Sequence, residues 1–351
     1  MKDIRDYSLL AHNTFGIDAK CRRFLEYSSV EEAQQIVAAL TDADKPLLIL
    51  GGGSNLLLTG DYEGTVLHSS IMGIEVLGNG ELAAAEHDDA LLNPEFVFLR
   101  CGSGEVFDDV VAYAVEHGYH GAENLSIIPG EVGASAVQNI GAYGVEAKDI
   151  IYKVEAVEIA TGRVVVFDNQ DCHYCYRQSK FKHEWKDKYL VTHVVYRLSR
   201  SFVPNLDYGN IRASLAAKHI ENPTAQQLRD VIIEIRNAKL PDPKVQGNAG
   251  SFFMNPIVEK AKFEELAAQY PGMPHYTIDE EHEKIPAGWM IDQCGWKGKS
   301  LGRAGVHDKQ ALVLVNRGGA TGEEIVNLCE TIRKDVKQKF GIDIHPEVNV
   351  K

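Results

Sequence analysis

Three short segments combine glycine with few bulky side chains and could bind an anion through their backbone. They read GGGSN (51–55), GSGE (102–105) and IPGEVGASAVQNIGAYG (128–144). Successive backbone amides can surround phosphate oxygens, and glycine lets a pyrophosphate approach closely. A dinucleotide is therefore a natural ligand, although each segment taken alone could also be an ordinary tight turn.

The first segment does not match the Rossmann fingerprint for dinucleotides. That fingerprint is G-x-G-x-x-G at the start of a helix. Residues 51–56 read GGGSNL, lack the third glycine and continue into an apolar run. We therefore expect a dinucleotide held by a different fold.

Cys172 and Cys175 form a C-x-x-C pair, a spacing found in metal sites and in thiol redox sites. A structural zinc site needs four ligands, and none of the other four cysteines forms a second pair. We expect reduced thiols and no metal, with a metal or redox role as the alternative.

Composition limits the classes of function. The chain has 351 residues, is 44% hydrophobic and 25% charged, and carries a formal net charge of -14. Such a charge repels a nucleic-acid backbone. The charged N-terminal stretch does not resemble a signal peptide, and no run approaches the roughly 20 apolar residues of a membrane span. We expect a soluble cytoplasmic protein that binds neither nucleic acid nor membrane.

The N-terminal third alternates helix and strand. Ser29 and Glu32 form a capping box before an apolar helical stripe, and residues 47–50 form an apolar strand before the first glycine segment. A second strand ends near Cys101 and precedes a helix with Val106, Val110, Tyr113 and Ala114 on one side. These patterns predict helices packed on sheets.

The pattern changes after residue 150. In residues 150–167, apolar and polar residues alternate on both sides of a Thr-Gly turn, which predicts a β-hairpin. Residues 189–198 are predicted to form a further strand. Helices are predicted to begin near Thr224 and to cover 258–270 and 321–340, with a strand at 312–316. The class is α+β, with one domain over residues 1–200, itself split near residue 65, and another over 201–351.

A series of motifs covers almost the whole chain and resembles the UDP-N-acetylenolpyruvoylglucosamine reductase (MurB) family. Tyr208, in LDYGNI, makes the chain similar to the longer, tyrosine-containing type I members. The motifs are, in order, NTFG (13–16), GGGSNLLL (51–58), NLSIIPGEVGASAVQNIGAYGVE (124–146), CYRQSKFK (175–182), KLPDPKVQGNAGSFFMNP (239–256), AGWMIDQCG (287–295) and HPEVNV (345–350).

The resemblance implies a fold and an activity. The fold would be a two-part FAD-binding domain of the vanillyl-alcohol-oxidase (PCMH) type, followed by a C-terminal α+β substrate-binding domain whose last strand returns to the active site. The family binds FAD noncovalently and reduces it with NADPH. It then reduces UDP-N-acetylglucosamine enolpyruvate to UDP-N-acetylmuramate, with hydride to C3 and a proton to C2, in peptidoglycan precursor synthesis. We expect a monomer.

The resemblance also implies a set of FAD-binding residues. They lie in the two longer glycine segments, with one arginine from IRNAKLPDP. The expected residues are Gly51, Gly52, Gly53, Ser54, Asn55, Pro129, Gly130, Gly133, Ala134, Ser135, Asn139, Gly141, Tyr143 and Arg236.

Three residues match the family's reacting positions. Reduction of the enolpyruvyl group places negative charge on C2 and the carboxylate, so a cation and a proton donor are required. Arg177 matches the arginine that would stabilise the carboxylate, Ser251 matches the proton donor, and Glu347 matches the acidic partner. Taken without the surrounding motifs, each is more typical of a surface, turn or tail residue.

Tyr208, Lys239 and Asn255 match substrate contacts. Tyr208 and Asn255 would contact the UDP diphosphate, and Lys239 would lie near the substrate carboxyl group and NADPH. One position departs from the pattern, because Asn349 stands where many relatives have arginine.

Two rival functions remain open. Oxidases and dehydrogenases of hydroxy acids or alcohols share the same flavin fold, and they would return electrons to oxygen. A catalytically silent nucleotide-binding module would keep the loops without the reaction. The combination of Arg177, Ser251 and Glu347 argues against both.

Overall fold

The computed structural model describes residues 1–86 and 89–351. The chain forms two compact units, and each is assembled from segments that are distant in sequence. The first unit comprises Met1–Tyr7, Cys21–Gly52 and Glu63–Ala238. The second comprises Ser8–Lys20, Gly53–Tyr62 and Lys239–Lys351.

The first unit contains a four-stranded sheet, a five-stranded sheet and a two-stranded ribbon. The strand orders are β1-β2-β5-β3, β11-β10-β12-β7-β6 and β8-β9. Its strands are β1 (Lys2–Ser8), β2 (Lys20–Tyr27), β3 (Leu47–Leu50), β5 (Tyr62–Ser69), β6 (Ile74–Leu77), β7 (Phe96–Gly102), β8 (Gly141–Ala142), β9 (Val145–Glu146), β10 (Ile151–Glu158), β11 (Val164–Asp168) and β12 (Tyr189–Ser199).

Helices α1 to α4 of the first unit pack on the faces of these sheets, whereas α5 and α6 pack with each other in a separate core. Helix α1 begins after Ser29, whose side chain accepts a hydrogen bond from the Glu32 amide at 3.2 Å. Thr224 and Gln227 form a reciprocal cap at the start of α6. The helices are α1 (Val30–Ala39), α2 (Asn79–Glu86), α3 (Phe107–Glu116), α4 (Val132–Gln138), α5 (Ile211–Ala217) and α6 (Ala225–Lys239).

Alternation along β7 sends its side chains to two separate cores. Val97, Leu99 and Cys101 pack with buried residues of α3 and α4, whereas Phe98 packs with Ala83 of α2 and with Val195. The five-stranded sheet is therefore covered on both faces, with α3 and α4 on one side and α2 on the other.

The second unit contains small sheets and three helices, α7 (Lys260–Gln269), α8 (Ala287–Gln293) and α9 (Gly322–Phe340), in the part of the chain that the structure describes. The strand orders are β13-β15-β14, β16-β17-β18 and β19-β4. Its strands are β4 (Leu56–Leu57), β13 (Ile257–Glu259), β14 (Tyr276–Thr277), β15 (His282–Lys284), β16 (Ser300–Leu301), β17 (Ala304–Val306), β18 (Leu314–Asn316) and β19 (Asn349–Val350).

The structure refines several predicted boundaries. The helix predicted over 258–270 begins only at Lys260, because residues 257–259 pair with β15 as a strand. The strand predicted over 312–316 is shorter, at Leu314–Asn316. The short helix α4 lies inside a segment that we interpreted as a loop.

The two compact units also divide the chain differently from the domains expected at 1–200 and 201–351. Helices α5 and α6 belong to the first unit, whose last segment ends at Ala238. Within residues 1–86 and 89–351, no helix is long and apolar enough to cross a lipid bilayer.

His68, on β5, lies between two carboxylates inside the first unit. Its Nδ1 is 3.3 Å from Glu26 Oε2 on β2, and its Nε2 is 3.3 Å from Glu131 Oε1. Lys2 on β1 contacts the other oxygen of Glu26 at 2.6 Å, and the Phe24 ring stacks on the imidazole. Burial lowers the pKa of an imidazole, but the two carboxylates together outweigh it and raise the pKa of His68.

We expect His68→Gln to destabilise the protein in a pH-dependent way. A histidine whose pKa is raised by folding stabilises the fold fully below its unfolded pKa of about 6.5 and loses this contribution as pH rises through the folded pKa. Urea unfolding at about pH 6 should show a loss of about 1.5 kcal/mol, and the loss at about pH 9 should be much smaller. The exposed His183→Gln is the control, and an equal loss at both pH values would contradict the charge interpretation.

Candidate active site

A strip of backbone at residues 12–15 is enclosed by two glycines in the second unit. A Cβ added to Gly53 would lie 1.9 Å from the His12 carbonyl oxygen, and one added to Gly247 would lie 2.1 Å from that of Phe15. The Thr14 amide donates to the Gly53 carbonyl at 3.2 Å. Only glycine allows backbones to approach this closely, so the strip joins the GGGSN segment to the segment that carries Ser251.

The end of the GGGSN segment is fastened to the C-terminal strand. Strands β4 and β19 pair in parallel, and Asn55 Nδ2 donates to the Glu347 carbonyl at 3.3 Å. Asn349 donates to the Asn55 carbonyl through both its backbone amide and its side chain, each at 3.1 Å. Asn349, the position where the resemblance implies an arginine in many relatives, therefore supports the loop in this chain.

The same C-terminal segment runs beside Ser251. The Glu347 amide donates to the Phe252 carbonyl at 2.8 Å, and the Met254 amide donates to the His345 carbonyl at 3.0 Å. The two flanking phenylalanines, Phe252 and Phe253, are buried, whereas Ser251 is exposed. The second unit therefore brings Ser251 and Glu347 together on adjacent chain segments.

The third glycine segment lies along residues 103–107 in the first unit. Phe107 N donates to the Gly130 carbonyl at 3.0 Å, and Gly133 N donates to the Ser103 carbonyl at 2.9 Å. The Ser135 hydroxyl is buried and bonded to Tyr196 Oη and the Val132 carbonyl, each at 2.7 Å. Ser135, expected at the cofactor, thus uses its hydroxyl to support α4 from inside the core.

The GSGE turn differs from our expectation that it offers free amides. Its four amides donate to backbone carbonyls of Gly73, Thr192, Ile71 and Gly102. This turn therefore supports the neighbouring loop and has no amide left for a ligand.

Sequence reasoning did not identify Glu131 as a feature of the site. Its carboxylate lies beside the first glycine segment, with Oε2 at 3.3 Å and Oε1 at 3.5 Å from Cβ positions built on Gly51 and Gly52. His68 holds this carboxylate from the other side. No spacing rule could reveal the pair, because 63 residues separate its members.

Arg177 is held by the carbonyl end of the third glycine segment. Its Nη2 donates to the Gly141 carbonyl at 2.6 Å and its Nη1 to the Asn139 carbonyl at 3.4 Å. Lys182 Nζ donates to the Arg177 carbonyl at 2.9 Å, which gives this lysine a supporting role. Asn139 is buried and has a left-handed backbone conformation. Its side-chain Nδ2 donates hydrogen bonds to the Glu146 carboxylate and to the Cys175 carbonyl. The guanidinium is thus fixed in orientation.

Tyr143, Tyr208 and Arg236 also belong to the first unit. The Tyr143 and Tyr208 rings meet edge to face at 6.4 Å, and burial raises the pKa of Tyr143. Burial also lowers the pKa of Arg236, which interacts electrostatically with Tyr143, Asp108 and Arg177. Its buried Nε has no hydrogen-bond partner within the described residues. A buried donor without a hydrogen-bond partner indicates a place where a bound ligand supplies the acceptor atom.

Lys239 and Asn255 lie in the second unit. Lys239 is the last residue of α6 and is exposed. Asn255 Oδ1 accepts a hydrogen bond from the Ala287 amide at 2.9 Å and so caps α8. Asn255 therefore has a structural role beside its expected contact with substrate.

The expected site residues fall into two groups. Arg177, Tyr143, Tyr208 and Arg236 belong to the first unit, whereas Ser251 and Glu347 belong to the second. The GGGSN segment is itself divided, because Gly52 ends one segment of the first unit and Gly53 begins one of the second.

The C-x-x-C cysteines show no sign of a special reactivity. Cys172 is buried and its Sγ donates to the Asp168 carbonyl, whereas Cys175 is exposed. Burial raises the pKa of Cys172 to about 11, which keeps the thiol protonated at neutral pH. No cluster of three metal-ligating side chains occurs among the residues with a described placement.

The residues present fit an FAD molecule. Gly52 and Gly53 carry amides without an acceptor in the described part of the chain, and both lie in a turn with no side-chain bulk. Arg236 adds a buried cation whose Nε lacks a partner among the same residues. Amides and a cation are the groups that a diphosphate and an electron-rich ring require.

Two protein-family models match this chain. Residues 22–168 match the family described as an FAD binding domain. Residues 242–351 match the C-terminal domain of UDP-N-acetylenolpyruvoylglucosamine reductase. The chain therefore carries an FAD-binding domain followed by a match to the C-terminal domain of that reductase.

Solved structures show the same fold at low sequence identity. A UDP-N-acetylenolpyruvylglucosamine reductase (MurB) from Thermus caldophilus superposes with a TM-score of 0.66 at 19% identity, over 99% of this chain and 98% of the other. A 6-hydroxy-D-nicotine oxidase from Arthrobacter nicotinovorans superposes with a TM-score of 0.53 at 13% identity, over 97% of this chain and 86% of the other. The expected α+β fold with an FAD-binding domain is confirmed.

Sequence similarity is much stronger to a curated relative. The UDP-N-acetylenolpyruvoylglucosamine reductase of Bacteroides fragilis is 56% identical over 343 residues, which cover 98% of each chain. Identity of this level over the full length shows common membership rather than a shared fold alone. The chain belongs to the UDP-N-acetylenolpyruvoylglucosamine reductase family.

Proposed function

We propose that the protein uses NADPH to reduce UDP-N-acetylglucosamine enolpyruvate to UDP-N-acetylmuramate, a step in the synthesis of peptidoglycan precursors. The observation that carries the proposal is the full-length similarity to a relative named for this reductase activity. The match to an FAD binding domain supports a flavin-dependent reduction.

FAD would be held noncovalently by the first and third glycine segments together with Arg236. The amides of Gly52 and Gly53, which have no acceptor among the described residues, suit its phosphates, and the buried guanidinium of Arg236 suits an electron-rich acceptor. When bound, FAD would supply the capacity to accept a hydride from NADPH and to deliver it to C3 of the enolpyruvyl group.

Arg177 would bind the carboxylate of the enolpyruvyl group. Negative charge spreads into that carboxylate as the reaction proceeds, so a cation with a fixed orientation stabilises the transition state more than the ground state. The carbonyl oxygens of Asn139 and Gly141 hold the guanidinium in place, which supports this role.

Ser251 would donate a proton to C2, and Glu347 would act as its acidic partner. The backbone pairing of Phe252 with Glu347 keeps the two residues on neighbouring segments. Ser251 is exposed and so can meet a substrate. A weakly acidic hydroxyl needs such a neighbour to return its proton after turnover.

Substrate recognition requires local positive charge on an acidic protein. The net charge of -14 opposes a UDP diphosphate and NADPH, so individual cations have to compensate. Lys239 would meet the substrate carboxyl group and NADPH, and Tyr208 and Asn255 would contact the diphosphate. The exposure of Lys239 and Tyr208 is consistent with these contacts.

An anaerobic absorbance experiment tests the function. NADPH added to the purified flavoprotein should bleach the flavin band, and UDP-N-acetylglucosamine enolpyruvate should then restore it promptly. Recovery only on admission of air would identify an oxidase or dehydrogenase with another acceptor. A protein that binds FAD without bleaching would be a silent nucleotide-binding module.

We expect Ser251→Ala to separate the two half-reactions. Loss of a proton donor should slow flavin reoxidation by the enolpyruvyl substrate by about 10²- to 10⁴-fold, while flavin reduction by NADPH stays near the wild-type rate. Stopped-flow absorbance measures both rates, with the exposed Ser300→Ala as control. Equal slowing of both half-reactions would instead mean that Ser251 positions the cofactor.

We expect Lys239→Ala to weaken the use of both NADPH and the enolpyruvyl substrate. Removal of one charge-assisted contact should raise each KM by about tenfold, because such contacts contribute about 1.5 kcal/mol or more. Steady-state kinetics against each substrate are the measurement. Lys309→Ala, another exposed lysine of the second unit, is the control. Unchanged parameters for both substrates would remove Lys239 from the site.

A further inference from the structure

Ile127 has an unfavourable backbone conformation at the start of the third glycine segment. Its φ is 49°, in the left-handed region that β-branched residues avoid. The next residue, Ile128, precedes Pro129 and is restricted to extended conformations. Ile127 is therefore the position at which the chain turns into the proline-glycine loop.

Asp108 holds this conformation. Its Oδ1 accepts a hydrogen bond from the Ile127 amide at 2.6 Å. The adjacent Asp109 is exposed, with no such contact in the described part of the chain. Two neighbouring carboxylates in the first turn of α3 thus have different surroundings.

The same carboxylate binds Arg229 of α6. Arg229 Nη1 donates to Asp108 Oδ1 at 2.7 Å and Nη2 donates to Oδ2 at 3.0 Å, a two-point ion pair. Arg229 is 8% exposed, so water screens the pair weakly. The proposed mechanism does not use this buried pair.

Helix α6 carries a second arginine on the same side. Arg236 follows Arg229 by seven residues, which is close to two helical turns. The charges of Asp108 and Arg177 both act on Arg236, with opposite effects on its pKa. The position of α6 therefore determines where the partly unpaired guanidinium of Arg236 lies.

The far end of the loop is fixed independently of Asp108. The carbonyl of Gly130 and the amides of Val132 and Gly133 form backbone hydrogen bonds with residues 103–107. At the entry to the loop, the Ile128 amide donates to the Leu125 carbonyl. The Asp108 side chain adds a restraint there by accepting from the Ile127 amide.

We propose that Asp108 is a positioning residue for the cofactor. Its carboxylate keeps Ile127 left-handed, which shapes the loop entering Gly130, and through Arg229 it fixes the helix that presents Arg236. The inference rests on the proposed function, because it takes this loop and Arg236 to be parts of the FAD site.

Titration of apoprotein with FAD tests the proposal. Flavin fluorescence gives the dissociation constant without any catalytic turnover. We expect Asp108→Ala to weaken FAD binding by about tenfold, since the loop then relaxes from a left-handed Ile127. Asp108→Asn keeps an oxygen for the Ile127 amide, so its dissociation constant should lie between those of Asp108→Ala and the wild type. Asp109→Ala removes a first-turn carboxylate of the same helix and should leave binding unchanged.

A second substitution separates positioning from general destabilisation. Glycine adopts the left-handed region without steric cost. Ile127→Gly in the Asp108→Ala background should therefore restore FAD affinity to within about threefold of Ile127→Gly alone, a coupling expected only between interacting sites. A loss of stability unconnected with Ile127 would not be rescued in this way.

Each outcome has a separate meaning. Equal affinities for Asp108→Ala and Asp109→Ala would overturn the inference. Failure of Ile127→Gly to rescue Asp108→Ala would overturn the role of Ile127 and leave only the route through Arg229. Wild-type apoprotein that does not bind FAD would instead overturn the proposed function. Thermal unfolding of each apoprotein identifies any variant that does not fold. If Asp108→Ala does not fold, the FAD dissociation constant of Asp108→Asn provides the test instead.

Discussion

Close packing of backbone against backbone around residues 12–15 is the constraint on which the second unit depends. Gly53 lies on one part of this strip and Gly247 on another, and any Cβ at either position would overlap a carbonyl oxygen. The side-chain Nδ2 of Asn316 donates to the Phe15 carbonyl at 3.0 Å. The backbone amide of Asn316 donates to the Gly247 carbonyl at 2.8 Å. A short N-terminal strip thereby sets the positions of two chemically important segments.

Glycine serves two different purposes in this chain. In the GSGE turn the amides bond to neighbouring carbonyls, so that turn is scaffold. At Gly52 and Gly53 the amides lack acceptors in the described part of the chain and are available to a ligand. Two glycine-rich segments thus differ in role. The GSGE turn supports its neighbours, whereas Gly52 and Gly53 form a candidate anion-binding site, because, among the described residues, only the first has carbonyl acceptors packed beside its amides.

Charged side chains in the first unit are arranged to hold the loops. His68 is bound to Glu26 and Glu131 and so balances a carboxylate that lies beside Gly51. Asp108 binds a loop amide and a helix arginine at once. Removing either partner from such a pair leaves a charge poorly solvated, which costs far more free energy than an exposed pair contributes. The site therefore depends on side chains that themselves need not touch substrate.

The sequence by itself determined the elements whose signals are local. The caps at Ser29 and Thr224 and the family motifs around Arg177 and Ser251 required no knowledge of distant contacts. Tertiary structure alone decided that the Ser135 hydroxyl faces the core, that residues 257–259 form a strand and that each compact unit is assembled from segments distant in sequence. The physical reason is that burial, strand pairing and charge balance depend on residues far apart in the chain, whereas caps and glycine turns depend on near neighbours.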